Sequence, residues 1–188
     1  MDRREALKRT AFLLGGAVTA STWTALVTGC QRPGNITSFA EENTQNLLAE
    51  IAETILPETD TPGAKAAGVG PFIAMMLQDC YEEKDQRLVL DGLSELNKRC
   101  KDEYGDVFVE TTPENRTALL TAVDKERIEY GKDRKEGDPP HYFSILKELT
   151  LTGYFTSEPG LTQALRYVPV PGRYEGCVPY KQGEKAWA

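Results

Sequence analysis

Cys30 is the residue whose setting most directly prescribes a reaction. It closes Val27-Thr28-Gly29-Cys30, a small-residue site with cysteine at the cut. An uncharged stretch from Thr10 to Gly29 precedes it, and Arg3-Arg4-Glu5-Ala6-Leu7-Lys8 opens the chain with a twin-arginine pattern. Together these read as an export signal over residues 1–29 ending in a lipoprotein box. The mature chain is expected to start at Cys30, carry lipid there, and work as a membrane-anchored lipoprotein on the periplasmic side. Gln31 leaves inner and outer membrane both open. The stretch is long enough to span a bilayer, for which ~20 residues suffice. However, Gly15, Gly16, Thr19, Ser21, Thr22 and Thr24 dilute it, which suits a cleaved signal better than a permanent helix. Ala6 stands where a twin-arginine motif prefers a large apolar residue, so general secretory export stays open as the alternative route.

Other side chains with chemical potential are sparse. The single histidine, His141, would need an orienting carboxylate to act as a general base. It follows Pro139-Pro140 at an expected helix start, where capping or packing is the simpler role. Gly68-Val69-Gly70 lacks the third glycine of a dinucleotide turn, and no Gly-x-Ser-x-Gly elbow occurs. Glu82 and Glu83, like Asp102 and Glu103, read as solvated helix-end charges. Met75 and Met76 read as core. No catalytic, cofactor-binding or metal-binding residue is therefore assigned, and no cofactor is expected in this chain. Cys80, Cys100 and Cys177 are an odd set, so at most one internal bridge can form in the mature chain. Cys80 and Cys100 lie near the hinge and far along the second arm of an expected hairpin, too far apart for a bridge. Both are expected to be buried and free, while Cys177 is either exposed or facing a partner.

Composition narrows the partners. The chain has 188 residues with 22 basic and 29 acidic side chains. The signal holds Arg3, Arg4, Lys8 and Arg9 against Asp2 and Glu5, which leaves the mature part with 18 basic and 27 acidic residues, a net of −9. Such a chain is a poor binder of nucleic acid, where phosphate contacts need clustered cations. Anionic lipid repels it as well, so the lipid on Cys30 has to do the anchoring.

The elements that must position these groups are helical. Residues 30–37 form a polar, lipidated tether, and residues 38–188 a single domain. Ser38-Phe39-Ala40-Glu41 matches a capping box opening a first helix with Leu47, Leu48, Ile51 and Ile55 on one face. Pro57 ends it, and Ala64 to Gly70 is small and flexible. Pro71 suits the first position of a second helix through Phe72, Ile73, Met75, Met76, Leu77 and Cys80. A third carries Val89, Leu93, Leu96 and Cys100 and stops at Gly105. Val107-Phe108-Val109 is a short apolar segment that reads as a buried connector, with a strand fragment as the alternative. Thr112-Pro113 caps and starts a fourth helix with Leu119, Leu120 and Val123 inward. A charged loop from Lys132 to Asp138 leads to a fifth, with Tyr142, Phe143, Ile145, Leu146 and Leu149. The fold class is mainly α: a compact bundle of about five helices, then an irregular aromatic, Pro- and Gly-rich tail from about residue 153. That tail, with Tyr154, Phe155, Tyr167, Arg173, Tyr174 and Tyr180, must lie on a body. A wrap over its own core and a docking surface for a partner both remain open, since Tyr and Phe dominate interfaces.

Three stretches add a resemblance. They are Ile51-Ala52-Glu53-Thr54-Ile55-Leu56-Pro57-Glu58-Thr59-Asp60-Thr61-Pro62-Gly63-Ala64, then Leu146-Lys147-Glu148-Leu149-Thr150-Leu151-Thr152-Gly153-Tyr154-Phe155-Thr156-Ser157-Glu158, and Leu165-Arg166-Tyr167-Val168-Pro169-Val170-Pro171-Gly172-Arg173-Tyr174. With the signal, the chain resembles the gluconate 2-dehydrogenase subunit 3 family over essentially its whole mature length. The resemblance implies a small, mostly helical, non-catalytic subunit of a membrane-associated dehydrogenase. Its partner would be a separate flavoprotein of the glucose-methanol-choline type that binds FAD and oxidises a sugar, sugar acid or alcohol. A haem-c subunit often takes the electrons in such complexes. The small subunit would escort the folded flavoprotein through export, and Cys30 suggests that it also tethers the complex. The tentative docking residues are Tyr154, Phe155, Tyr167, Arg173, Tyr174 and Tyr180. The rivals are a stand-alone ligand- or glycan-binding lipoprotein and an enzyme built on His141.

Replacing Cys30 with Ser is expected to release the protein from membranes, read by fractionation. Replacing Arg3 and Arg4 with Lys is expected to block export if the twin-arginine route is used.

Overall fold

The computed structural model describes residues 36–170, 172–173, 176–179 and 181–187. Arg3, Arg4, Cys30 and the tether up to residue 35 lie outside the described residues, as do Tyr174 and Tyr180. The described residues form five α-helices: α1 Glu42–Ile55, α2 Val69–Cys80, α3 Glu83–Tyr104, α4 Pro113–Asp133 and α5 Tyr142–Thr156. A π-helical turn, Gly160–Ala164, follows, and the described residues contain no strand, only one isolated β-bridge. The expected bundle of about five helices is the observed fold.

The bundle is organised around α5. Its buried side chains are Phe143, Ile145, Leu146, Leu149, Thr150 and Tyr154, with Gly153 among them. That arc is wider than the roughly 100° stripe of an ordinary surface helix. Accordingly α1, α2, α3, α4 and the π turn all pack on it. Thr150 is the polar member of this arc, and its hydroxyl is satisfied by donating to the Leu146 carbonyl at 2.7 Å. Two glycines let aromatic rings of neighbouring helices press against backbone. A Cβ at Gly153 would lie 2.6 Å from the Phe72 ring of α2, and one at Gly92 of α3 would lie 2.3 Å from the Tyr142 ring.

Helix starts and stops follow local chemistry. Thr112 caps α4 by accepting from the Asn115 amide, with Pro113 at the first position. Gly105 ends α3 with φ 88°, a backbone that residues with a Cβ rarely adopt. Of the expected connector Phe108 is buried, held by the Asn97 side chain, which accepts from its amide at 3.2 Å, while Val109 is exposed. Arg116 of α4 donates to the Phe108 carbonyl at 2.9 Å and pairs with Glu50 of α1. Arg99 of α3 reaches Glu126 of α4 at 2.6 Å, and Lys147 of α5 reaches Asp124 of α4 at 3.0 Å. These pairs matter for α4, whose buried set is only Leu119, Leu120 and Val123.

Several local expectations are corrected. The capping box at Ser38 does not open α1. The chain turns first so that Phe39 enters the core, Ser38 Oγ accepts from the Ala40 amide at 3.2 Å, and Glu41 becomes the residue before the helix. Ala64 to Gly70 is not a flexible stretch. The Glu53 carboxylate accepts from the amides of Glu58 at 3.0 Å and Lys65 at 2.8 Å, and Ala64 is fully buried. Helix α2 starts at Val69, two residues before Pro71. Met75 is exposed because Ile73, Ala74 and Leu77 take the inward face. Cys80 is free but exposed, since α2 ends there and the half-buried Tyr81 packs on the core in its place. Cys100 is free and buried as expected, and burial pushes its thiol pKa up. The tail begins later than residue 153, because α5 runs to Thr156 and the π turn to Ala164.

Leu146 is fully buried on α5 and Leu151 is 40 % exposed. Leu146→Ala is expected to cost about 2–5 kcal/mol, and Leu151→Ala at most about 0.5 kcal/mol. Urea unfolding followed by circular dichroism separates them, and equal losses would contradict the central role of this arc.

Candidate functional site

The surface of interest begins where α5 ends. Tyr154 turns inward: its hydroxyl donates to the Pro62 carbonyl at 2.9 Å and lies 3.1 Å from Thr61 Oγ1. It therefore staples the loop after α1 to α5, and that tertiary role takes up the side chain assigned to docking. Its neighbour Phe155 points outward and stands edge-on to the Tyr154 ring, with centroids 5.3 Å apart. Leu151, one turn earlier, shares that exposed face.

Ser157 then ends the helix. Its hydroxyl donates to the Tyr154 carbonyl at 2.6 Å and accepts from the Gly160 amide at 3.2 Å. The π turn closes with the Leu165 amide on the Gly160 carbonyl at 2.9 Å. Beyond it the chain leaves the body and comes back. The Arg166 amide donates to the Ala186 carbonyl at 2.8 Å, within a parallel bridge between Arg166 and Trp187. The Arg166 guanidinium lies 3.9 Å over the Trp187 ring, and Lys185 Nζ donates to the Gln163 carbonyl. The described residues between Tyr167 and Lys185 thus belong to a segment tied at its base. Tyr167, Val170, Val178 and Trp187 are all exposed, Val170 at 81 %. Every described residue from Pro169 to Trp187 is exposed, Arg173 included.

The described tail therefore does not wrap over the helical core. The sequence reading named Tyr167 and Arg173 on this loop and Phe155 at its root. It missed Arg166, Lys185 and Trp187, which make the base. They are separated by about twenty positions, and no periodicity links them.

His141 takes the capping role. Its Nδ1 accepts from the Phe143 amide at 3.2 Å at the start of α5, and its ring stacks on Tyr142 at 4.8 Å and tilts against Tyr130 at 5.8 Å. Burial lowers its pKa most, the Glu126 charge opposes this, and the Arg127 charge adds to it. The neutral ring is the form that caps, so its acceptor nitrogen is engaged with backbone. Burial, with the Glu126 charge second, pushes the adjacent Tyr142 phenol up to about 12, which keeps it neutral at physiological pH. Among the described residues no cluster of His, Cys, Asp and Glu could hold a metal ion, and no helix is long and apolar enough to cross a membrane.

Fold and surface together define a helical scaffold that closes its own core and holds an aromatic loop away from it. The model of one family, gluconate 2-dehydrogenase subunit 3, matches residues 42–172. That is more than half of the chain, and the chain belongs to this family. No curated protein and no solved structure gave a match.

The His141 cap carries a pH dependence whose sign is set by its lowered pKa. The unfolded state takes up the proton first, near pH 6.5, so stability is full above that value and falls as pH drops toward the folded pKa. His141→Asn keeps a capping side chain without a titration. Its melting temperature is expected to fall less than that of the wild type between pH 7.5 and pH 5. Parallel falls would show that the cap does not titrate in this window.

Proposed function

We propose that this chain is the non-catalytic small subunit of an exported dehydrogenase complex. In this reading it escorts, stabilises and tethers an FAD-dependent flavoprotein of the glucose-methanol-choline type that oxidises a sugar or alcohol. A haem-c subunit would receive the electrons. Export would run through the signal with Arg3 and Arg4, and the lipid on Cys30 would hold the complex at the membrane. Multiple acyl chains on one cysteine give stable anchoring, at about 0.8 kcal/mol per buried CH₂.

The observation that carries the reading is the loop beyond Arg166. The helices share one buried core, and the segment beyond Arg166 leaves Tyr167, Val170, Val178 and Trp187 in solvent. Aromatic and aliphatic groups held out on a polar rim are the composition of a protein interface. Phe155 and Leu151 extend that surface onto α5. Family membership supplies the kind of assembly, since the family is named for a dehydrogenase subunit.

The test is an affinity pull-down of the tagged, membrane-extracted protein from its native host, with an absorbance spectrum of the eluate. A larger co-purifying protein with a flavin spectrum is the expected outcome. A colourless monomer would move the reading to a stand-alone binding lipoprotein.

A further inference from the structure

The charge of the tied loop is opposite to that of the body. Residues 165–188 hold Arg166, Arg173, Lys181 and Lys185 against Glu175 and Glu184, while residues 30–164 hold 14 basic against 25 acidic side chains. A net-positive, apolar-studded loop thus stands on a strongly acidic subunit. The Lys181–Glu184 pair, 3.7 Å apart on exposed side chains, does little to neutralise it.

Resting on the accessory-subunit reading above, we infer that the Arg166–Trp187 clasp preforms this loop as a cationic docking element for an acidic surface on the flavoprotein partner. Three observations carry it. The clasp combines a backbone hydrogen bond, a stacked guanidinium and the Lys185 contact to Gln163, all at the loop's two ends. The clasp is itself exposed, with Trp187 55 % accessible, so it contributes little to the core and its evident effect is on the loop. Loop charge and body charge are segregated, so an acidic partner surface meets attraction at the loop and repulsion elsewhere, which selects one docking register. Closing the loop beforehand removes ordering entropy from the binding step. Arg166 and Trp187 are positioning residues in this scheme.

The chain carries its own reporter. It has two tryptophans, and the other, Trp23, lies in the expected signal, so Trp187 is the sole tryptophan of the mature chain. Arg166→Ala is expected to steepen acrylamide quenching of Trp187 emission and leave the thermal melt of the helices unchanged. Its dissociation constant for the purified flavin-containing subunit is expected to rise about two- to fivefold, the size of one exposed cation–π contact. Lys181→Glu is expected to weaken binding and flatten its salt dependence. Arg166→Ala binding the flavoprotein as tightly as the wild type would overturn the clasp while leaving the docking reading intact. Wild-type protein that binds no flavoprotein would overturn both. If it then binds phosphatidylglycerol vesicles through the same lysines, the loop is a membrane contact.

Discussion

The fold depends on the width of the apolar arc on α5. Four helices and the π turn need a common surface, and Tyr142–Thr156 is the segment that supplies it. Phe143, Leu146 and Leu149 sit among side chains from helices that are distant in sequence, and glycine at 92 and 153 lets aromatic rings press against backbone. Hydrophobic burial is non-directional, so these contacts set adhesion. The glycines and the ring shapes set which faces meet. The position of His141 follows from the same constraint. A cap at the first turn of the shared helix fixes where the arc begins.

Polar contacts then settle what hydrophobic packing leaves loose. Helix α4 buries a narrow stripe and is tied by Arg116 to α1, by Arg99 to α3 and by Lys147 to α5. The Arg116–Glu50 pair is the least exposed of these, each side chain 15 % accessible, and shares its cation with the Phe108 and Val109 carbonyls. Such sharing satisfies the guanidinium where a lone buried charge would be costly. Glu53 does similar work at a loop, with one carboxylate holding two amides that would otherwise be free to move. The result is a helical body held together by its own contacts.

The C-terminal segment has a different character. A tail that folded back on the bundle would have hidden its aromatics, and the described tail does the reverse. Its closure is with itself, through Arg166 and Trp187. The chain belongs to a dehydrogenase small-subunit family, and its self-closed, outward segment is what the proposed docking role rests on. The chemistry of the complex then lies with the partner in our reading, and the geometry of its attachment lies here.

Amino-acid order alone determined the features that are local. Leu47, Leu48 and Ile51, and likewise Val89, Leu93, Leu96 and Cys100, lie on the faces that their spacing dictates. Thr112-Pro113, Gly105 and His141 start and stop helices where their side chains and backbone require it. The expected export signal and the role of Cys30 rest on sequence alone, since they lie outside the described residues. Tertiary structure decided everything that joins residues distant along the chain. Phe39 displaced the Ser38 cap because a buried aromatic outweighs one capping hydrogen bond at an exposed site. Tyr154 turned inward because Pro62 offered an acceptor across the bundle, which no window around residue 154 could reveal. Arg166 met Trp187 because the π turn aims the chain outward and the loop between them returns. Periodicity and capping report on neighbours within one or two turns, whereas the choice of central helix and the closing of a loop depend on which distant surfaces fit.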